Sequence, residues 1–228
     1  MSTRSLTMVY KNGEYKLAQH GKFDGDAEFM GSNILEFLKE TDICKLKEAF
    51  DDVSFYTEEE LDNIYKQMYS DIGPNVDIAE IRELEETYGG GVTFYRPKSS
   101  KRSRKQDDNC RREKPLGLSD MGGAILERII NKECNKFKNS IDFAAESTLC
   151  EWGYVIDLDK NTFEVYIGFN EEKLTPDDRF YWLEEKAKGF SHPIKLAKEY
   201  DLNNLPTYDD FVDELMNKYE EIVDALEF

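Results

Sequence analysis

Asn12-Gly13 stands between two short runs that alternate as strands do, residues 6–10 and 14–19. Both central residues of the tightest hairpin turns need a positive φ, which Asn and Gly supply at least cost, so this dipeptide commits the chain's start to an antiparallel hairpin. A hairpin there carries Ser2, Thr3 and Arg4 to one strand end. The glycine-punctuated loop from Gly21 to Gly31 leaves the same end, close to Gln19, His20, Asp24 and Asp26. A second hairpin is expected further along. Residues 151–157 and 162–169 alternate around Asp159-Lys160-Asn161, with Trp152, Tyr154 and Ile156 on one strand and Phe163, Val165 and Ile167 on the other.

The rest of the chain reads largely as helix. Ile34, Leu35, Phe37 and Leu38 suggest a helix entered at Ser32 or Asn33. Thr41 is a candidate N-cap for a helix through Phe50 bearing Ile43, Leu46 and Phe50. Thr57 with Glu60 three residues on is a capping box for a helix carrying Leu61, Ile64, Tyr65 and Met68. Asp77 is placed to cap a further helix, and residues 92–95 read as a strand. Residues 119–139 are expected to be one helix with Ile125, Ile129, Ile130 and Phe137 along its apolar side, and Gly122-Gly123 near its start suits a close backbone approach. Residues 180–183 fit strand or helix equally, and 194–200 are as ambiguous. Thr207 with Asp210 caps a final helix with Phe211, Leu215, Tyr219 and Ile222 at helical spacing.

These elements predict an α+β fold: a mainly antiparallel sheet built from two hairpins, with helices packed around it. Strand-forming blocks lie in both halves of the 228 residues, so a single domain spanning 1–228 is expected. Between Arg96 and Lys114, nine Lys and Arg residues face only Asp107, Asp108 and Glu113, with almost no apolar residue. The stretch at about 96–115 reads as a mobile basic insertion, with contact to nucleic acid as the functional alternative.

Net charge is −18. That weighs against a general nucleic-acid binder, which neutralises phosphates with Lys and Arg, and against docking on an anionic membrane. It favours a strongly basic protein surface as partner, with the encounter steered electrostatically. No apolar run is long enough for a membrane span, so a cytosolic protein with reduced thiols is expected. Cys44, Cys110, Cys134 and Cys150 form no C-x-x-C pair. Cys44, Cys134 and Cys150 read as small buried hydrophobes and Cys110 as exposed. Neither a metal site nor a cofactor is expected: Asp24, Asp26 and Glu28 alternate, but the later ligands of a Ca²⁺ loop are missing.

Two chemistries remain. One is a small hydrolase or transferase at the N-terminal hairpin, using Ser2 (whose own α-amine would serve as base once Met1 is removed), Arg4, Gln19 and Asp24. The other is non-enzymatic. Glu58, Glu59 and Asp62 on one helix, and Asp209, Asp210, Asp213 and Glu214 on the last, are spaced to imitate a row of phosphates and to occupy a basic channel in another protein.

The order of these blocks resembles a family of uncharacterised bacteriophage and bacterial proteins. Thr3-Arg4-Ser5-Leu6-Thr7, Asn12-Gly13-Glu14 and the Gln19-to-Gly25 stretch are similar to its N-terminal block. Ser140-Ile141-Asp142-Phe143-Ala144, the run from Cys150 to Asp159 and that from Thr162 to Asn170 are similar to a central one. His20-Gly21-Lys22-Phe23 departs from the family's Tyr-Gly-Gln-Trp. The resemblance implies a phage-type setting, in which small acidic proteins block host defence nucleases. The expected role is therefore an anti-defence, anti-CRISPR-like inhibitor in the host cytosol that binds a basic, nucleic-acid-binding effector.

Overall fold

The computed structural model describes residues 3–68, 115–187 and 191–226. Ser2, Cys110, the helix expected from Asp77, the strand expected at 92–95 and the basic stretch at 96–114 lie outside the described residues.

The N-terminal hairpin forms as its turn residues require. Strands β1 (Ser5–Lys11) and β2 (Glu14–Gly21) pair antiparallel, with Asn12 at φ 56° and Gly13 at φ 78°. The chain then makes one π-turn at Ala27–Gly31 and continues directly into α1 (Ser32–Glu40). Helix α2 (Ile43–Ala49) follows. Its cap is Asp42, whose carboxylate accepts from Cys44 N, one residue later than the expected Thr41, which instead closes α1. Strand β3 (Ser54–Phe55) leads to α3 (Glu58–Met68), and here the capping box is complete. Thr57 N donates to Glu60 Oε2 at 2.9 Å, and Glu60 N to Thr57 Oγ1 at 3.2 Å.

The long helix expected over 119–139 is not formed. A 3-10 turn at Gly122–Ala124 opens a short α4 (Ile125–Ile130). Lys132 takes φ 58°, which helix geometry does not allow, and Lys136–Phe137 pairs with β3 as strand β4. Phe137 is buried as a strand residue rather than as the last position of a helical stripe. The second hairpin, β5 (Trp152–Asp157) with β6 (Thr162–Ile167), is as expected, and Asn161 turns it at φ 63°. The ambiguous stretches resolve as a 3-10 segment at Tyr181–Lys186 and an edge strand, β7 (Lys195–Asp201). Helix α5 (Tyr208–Leu226) ends the described chain.

The main sheet runs β2-β1-β5-β6-β7. Three of its four pairings are antiparallel; in the other, β1 and β5 run parallel from Ser5 opposite Trp152 to Tyr10 opposite Asp157. The two hairpin turns therefore emerge side by side. Asp159 of the second accepts from Asn12 N at 2.8 Å and Gly13 N at 2.9 Å of the first, bonds that hold its carboxyl below the usual range.

Each sheet face has its own cover, as the alternation along a strand dictates. Val9, Leu17, Trp152, Tyr154, Ile156, Phe163, Val165 and Ile167 face the helices, against Ile34, Leu35 and Leu38 of α1, Ile125 and Leu126 of α4 and Phe211 and Leu215 of α5. The opposite face carries a second buried cluster. There Leu6, Met8, Ala18, Val155 and Tyr166 meet Ile141, Ala144, Leu174, Phe180, Leu183 and Ile194. Among the described residues no helix is long and apolar enough to cross a membrane. Of the cysteines, Cys150 is buried and Cys134 partly so, but Cys44 is exposed: it occupies the first turn of α2, whose apolar side is carried by Leu46.

Gly21 and Gly122 show why the glycines near the sheet end matter. Gly21 bridges to Met121, and a Cβ on it would stand 2.5 Å from Ser5 Oγ and 3.3 Å from Gly122 Cα; Gly122 itself has φ +55°. Gly21→Ala is expected to destabilise the protein by about 1–3 kcal/mol through overpacking, read from the urea midpoint. Alanine at Gly13, where no atom lies within 4 Å but φ is +78°, is expected to cost about 1 kcal/mol from backbone strain alone.

Candidate functional site

The residues proposed for catalysis are separately employed. Ser2 is outside the described residues. Arg4 N donates to Glu151 Oε1 at 3.3 Å and its carbonyl accepts from Trp152 N at 3.3 Å, so its backbone ties the start of β1 to the start of β5. Gln19 is buried, and its amide donates to the carbonyl and, at 3.3 Å, to the hydroxyl of Ser119. Asp24 is exposed at φ 51°, with its carbonyl accepting from Met30 N at 3.1 Å. Asp26 caps the π-turn by accepting from Phe29 N at 3.0 Å. No hydrogen bond joins any two of these four among the described residues. The two histidines also go separate ways: His20 Nδ1 lies 3.5 Å from Asp120, and His192 Nδ1 2.7 Å from Glu184.

The acidic residues proposed for partner binding divide into two kinds. Glu58 and Glu59 are exposed in the first turn of α3 and Asp62 is half-buried. On α5, Asp210 is engaged by its cap, accepting from the Thr207 hydroxyl at 2.7 Å. Glu214 is tied to β7, where it accepts from Lys198 Nζ at 2.5 Å and Tyr200 OH at 3.2 Å. Burial opposes its charge, but Lys198 prevails and its pKa is lowered. Asp209 and Asp213 are exposed and, with exposed Glu220 and Asp224, fall on one stripe at spacings of four, seven and four. At 1.5 Å per residue that stripe is about 22 Å long.

The most developed site is one that reading the sequence did not find. On the face of the sheet that carries Met8, Val155 and Tyr166, where β1 and β5 end, a cleft of about 420 Å³ is lined by Tyr10, Tyr15, Asp157, Glu164, Tyr166 and Arg179, with Asp177, Trp182, Leu196 and Glu199 around them. Its floor is one guanidinium shared by two carboxylates. Arg179 Nε donates to Glu164 Oε2 at 2.7 Å, and Nη2 donates to Glu164 Oε1 at 2.5 Å and to Asp157 Oδ2. Both acids are almost fully buried. Their remaining acceptor sites are filled: Tyr166 OH donates to Glu164 Oε2 at 2.5 Å, Thr162 to Glu164 Oε1 at 3.3 Å, and Asp159 N and Lys160 N to Asp157 Oδ1 at 3.0 and 2.8 Å. Burial works against the Arg179 charge, but its bonds to Glu164 and Asp157 hold its pKa up. The Arg179 guanidinium lies 5.2 Å from the centre of the Tyr10 ring. Burial pushes the Tyr15 hydroxyl up to about 12 against the pull of Arg179, and it pushes Tyr166 up as well, in concert with the adjacent Glu164 charge.

The signal for this floor was in the alternation of β6. Glu164 lies between Phe163 and Val165, on the same face as Tyr166, in a strand too central to leave an acid in water. Such a carboxylate requires a buried cation. That cation is Arg179, at the end of the run Asp177-Asp178-Arg179, which no local pattern ties to β6.

Removing one partner of a buried ion network leaves the other charges uncompensated. Arg179→Met is expected to cost about 3–5 kcal/mol, and Tyr166→Phe about 1–2, in urea unfolding; adding Glu164→Gln to Arg179→Met should recover part of the loss. At the other end of β5, Glu151 has its pKa raised by burial, against the hydrogen bonds from Arg4 N and Tyr219 OH. A carboxyl raised in the folded state contributes stability that is present at low pH and lost as pH rises through the folded value. Glu151→Gln should therefore melt higher than the wild type at pH 7, and the advantage should vanish below about pH 4.

No protein-family model matches the chain, and neither a curated protein nor a solved structure matches it.

Proposed function

We propose that this protein is a non-enzymatic, anti-CRISPR-like anti-defence inhibitor that acts in the host cytosol by binding the basic surface of a nucleic-acid-binding effector. The observation that carries this reading is the outward stripe of Asp209, Asp213, Glu220 and Asp224 on α5. These carboxylates are exposed, belong to a chain of net charge −18, and are spread over a length comparable to a short run of phosphates. Glu58 and Glu59 on α3 add to it. The resemblance to phage proteins supports the choice of a host defence effector as target class. Arg4, Gln19 and Asp24 share no hydrogen bond among the described residues, which leaves the hydrolase reading without support from a bonded set of groups.

The test is a plaque assay in bacteria that carry a nucleic-acid-guided defence complex, with this protein expressed in trans. Expression should restore phage growth. Asp209→Lys with Asp213→Lys, shown by circular dichroism to be folded, should abolish the restoration, and the purified complex should weaken at least about tenfold when salt is raised from 0.1 to 0.5 M. Restoration by the charge-reversed variant, together with affinity that is flat in salt, would overturn the reading.

A further inference from the structure

We propose that the cleft beside Arg179 is a receptor for a single arginine side chain of the basic partner, an inference that rests on the binding role above and names the contact that would make it specific. An acidic stripe attracts any polycation. Selecting one partner takes a concave, partly apolar contact, and the cleft supplies it.

The charge of the lining argues for a cation. Five carboxylates (Asp157, Glu164, Asp177, Asp178 and Glu199) face only Arg179 and Lys160. Arg179 is consumed by the floor and Lys160 is exposed at the hairpin turn. Asp178 is occupied by Thr175, whose backbone N and hydroxyl donate to it at 2.7 and 2.8 Å. Asp177 and Glu199 are different: both are exposed, and neither side chain has a hydrogen bond or ion pair among the described residues. They are the two acceptors of the cleft left open to an incoming donor.

The remaining lining argues for arginine over lysine. Trp182 is 49% exposed and Leu196 45%, and both border the same cleft as the two open carboxylates. A planar guanidinium stacks on an indole, forks onto carboxylates and sheds water more readily than an ammonium does. The cleft already holds one guanidinium in this manner: Arg179 stands between the Tyr10 ring and the carboxylates of Asp157 and Glu164. A second, supplied from outside, would meet Asp177, Glu199 and the ring of Trp182, over which Lys186 Nζ lies 5.9 Å from the centre.

The two tryptophans make the test direct, because Trp152 is wholly buried and only Trp182 is exposed. The full chain is titrated with a ten-residue peptide of alternating arginine and glycine, and with its lysine counterpart, while acrylamide quenching of the exposed tryptophan is followed. The arginine peptide should protect Trp182 saturably and bind at least about fivefold more tightly than the lysine peptide. Asp177→Asn with Glu199→Gln should weaken it about tenfold, whereas Asp209→Lys with Asp213→Lys should leave Trp182 protection in place. Equal affinity for both peptides, binding that leaves Trp182 fully quenchable, or wild-type affinity in the Asn/Gln variant would overturn the proposal. The plaque assay separates the two levels. If the cleft variant restores phage growth and the α5 variant does not, the arginine receptor is refuted and the acidic-stripe reading stands; if both restore it, both fall.

Discussion

The parallel pairing of β1 with β5 is the constraint on which the rest of the architecture depends. Each hairpin carries apolar residues on both faces, and neither is stable by itself in water. Joined along β1 and β5 they become a sheet wide enough to carry a core on both sides. Parallel pairing also fixes which ends coincide. The hairpin turns lie together, so Asp159 can hold Asn12 and Gly13. The strand entries lie together too, so Arg4 and Glu151 meet. The cleft sits at the turn end and the glycine-tight packing of Gly21 with Gly122 at the entry end.

Within that frame Arg179 settles a problem created by the strand pattern. Asp157 and Glu164 point to a face that is otherwise apolar, and their mutual repulsion in a low-dielectric setting would open the sheet. One guanidinium, bonded to both and backed by Tyr166 and Tyr10, neutralises one charge and gives geometry to both. The negative charge left over is not dispersed. It adds to that of Asp177 and Glu199 at the mouth, which gives the cleft a sign as well as a shape.

Local chemistry made much of the fold legible beforehand. Asn12-Gly13 specified its hairpin, Thr57 with Glu60 its capping box, Thr207 with Asp210 the start of the last helix, and the alternation from Trp152 to Ile167 the second hairpin and its buried face. What was missed depended on tertiary context. The stripe of Ile125, Ile129 and Phe137 matched a helical period by coincidence, because Phe137 is buried through pairing with Phe55 in a two-stranded sheet that sequence spacing does not reveal. Cys44 was misjudged because a helix's first turn points its side chains to either side, and Leu46 took the inner one. The cleft was missed because its members come from both hairpins, from the 177–182 stretch and from β7, and nothing local links Tyr10 to Arg179 across that distance in the chain.

The seam between the hairpins also sets the order in which the molecule can be assembled. Asn12 and Asp159 are 147 residues apart, and loop closure over such a span must be accomplished before the pairing returns any energy. During synthesis the first hairpin leaves the ribosome with its inner edge uncovered, and stays so until β5 and β6 have followed. For several seconds, at ordinary translation rates of about 5–20 residues per second, an unpaired apolar ribbon is exposed in the cell. The acids of α3, Glu58, Glu59, Glu60 and Asp62, are already made in that interval and have an earlier use there: like-charged nascent chains repel one another, and the ribbon is spared a neighbour's edge until its own partner arrives.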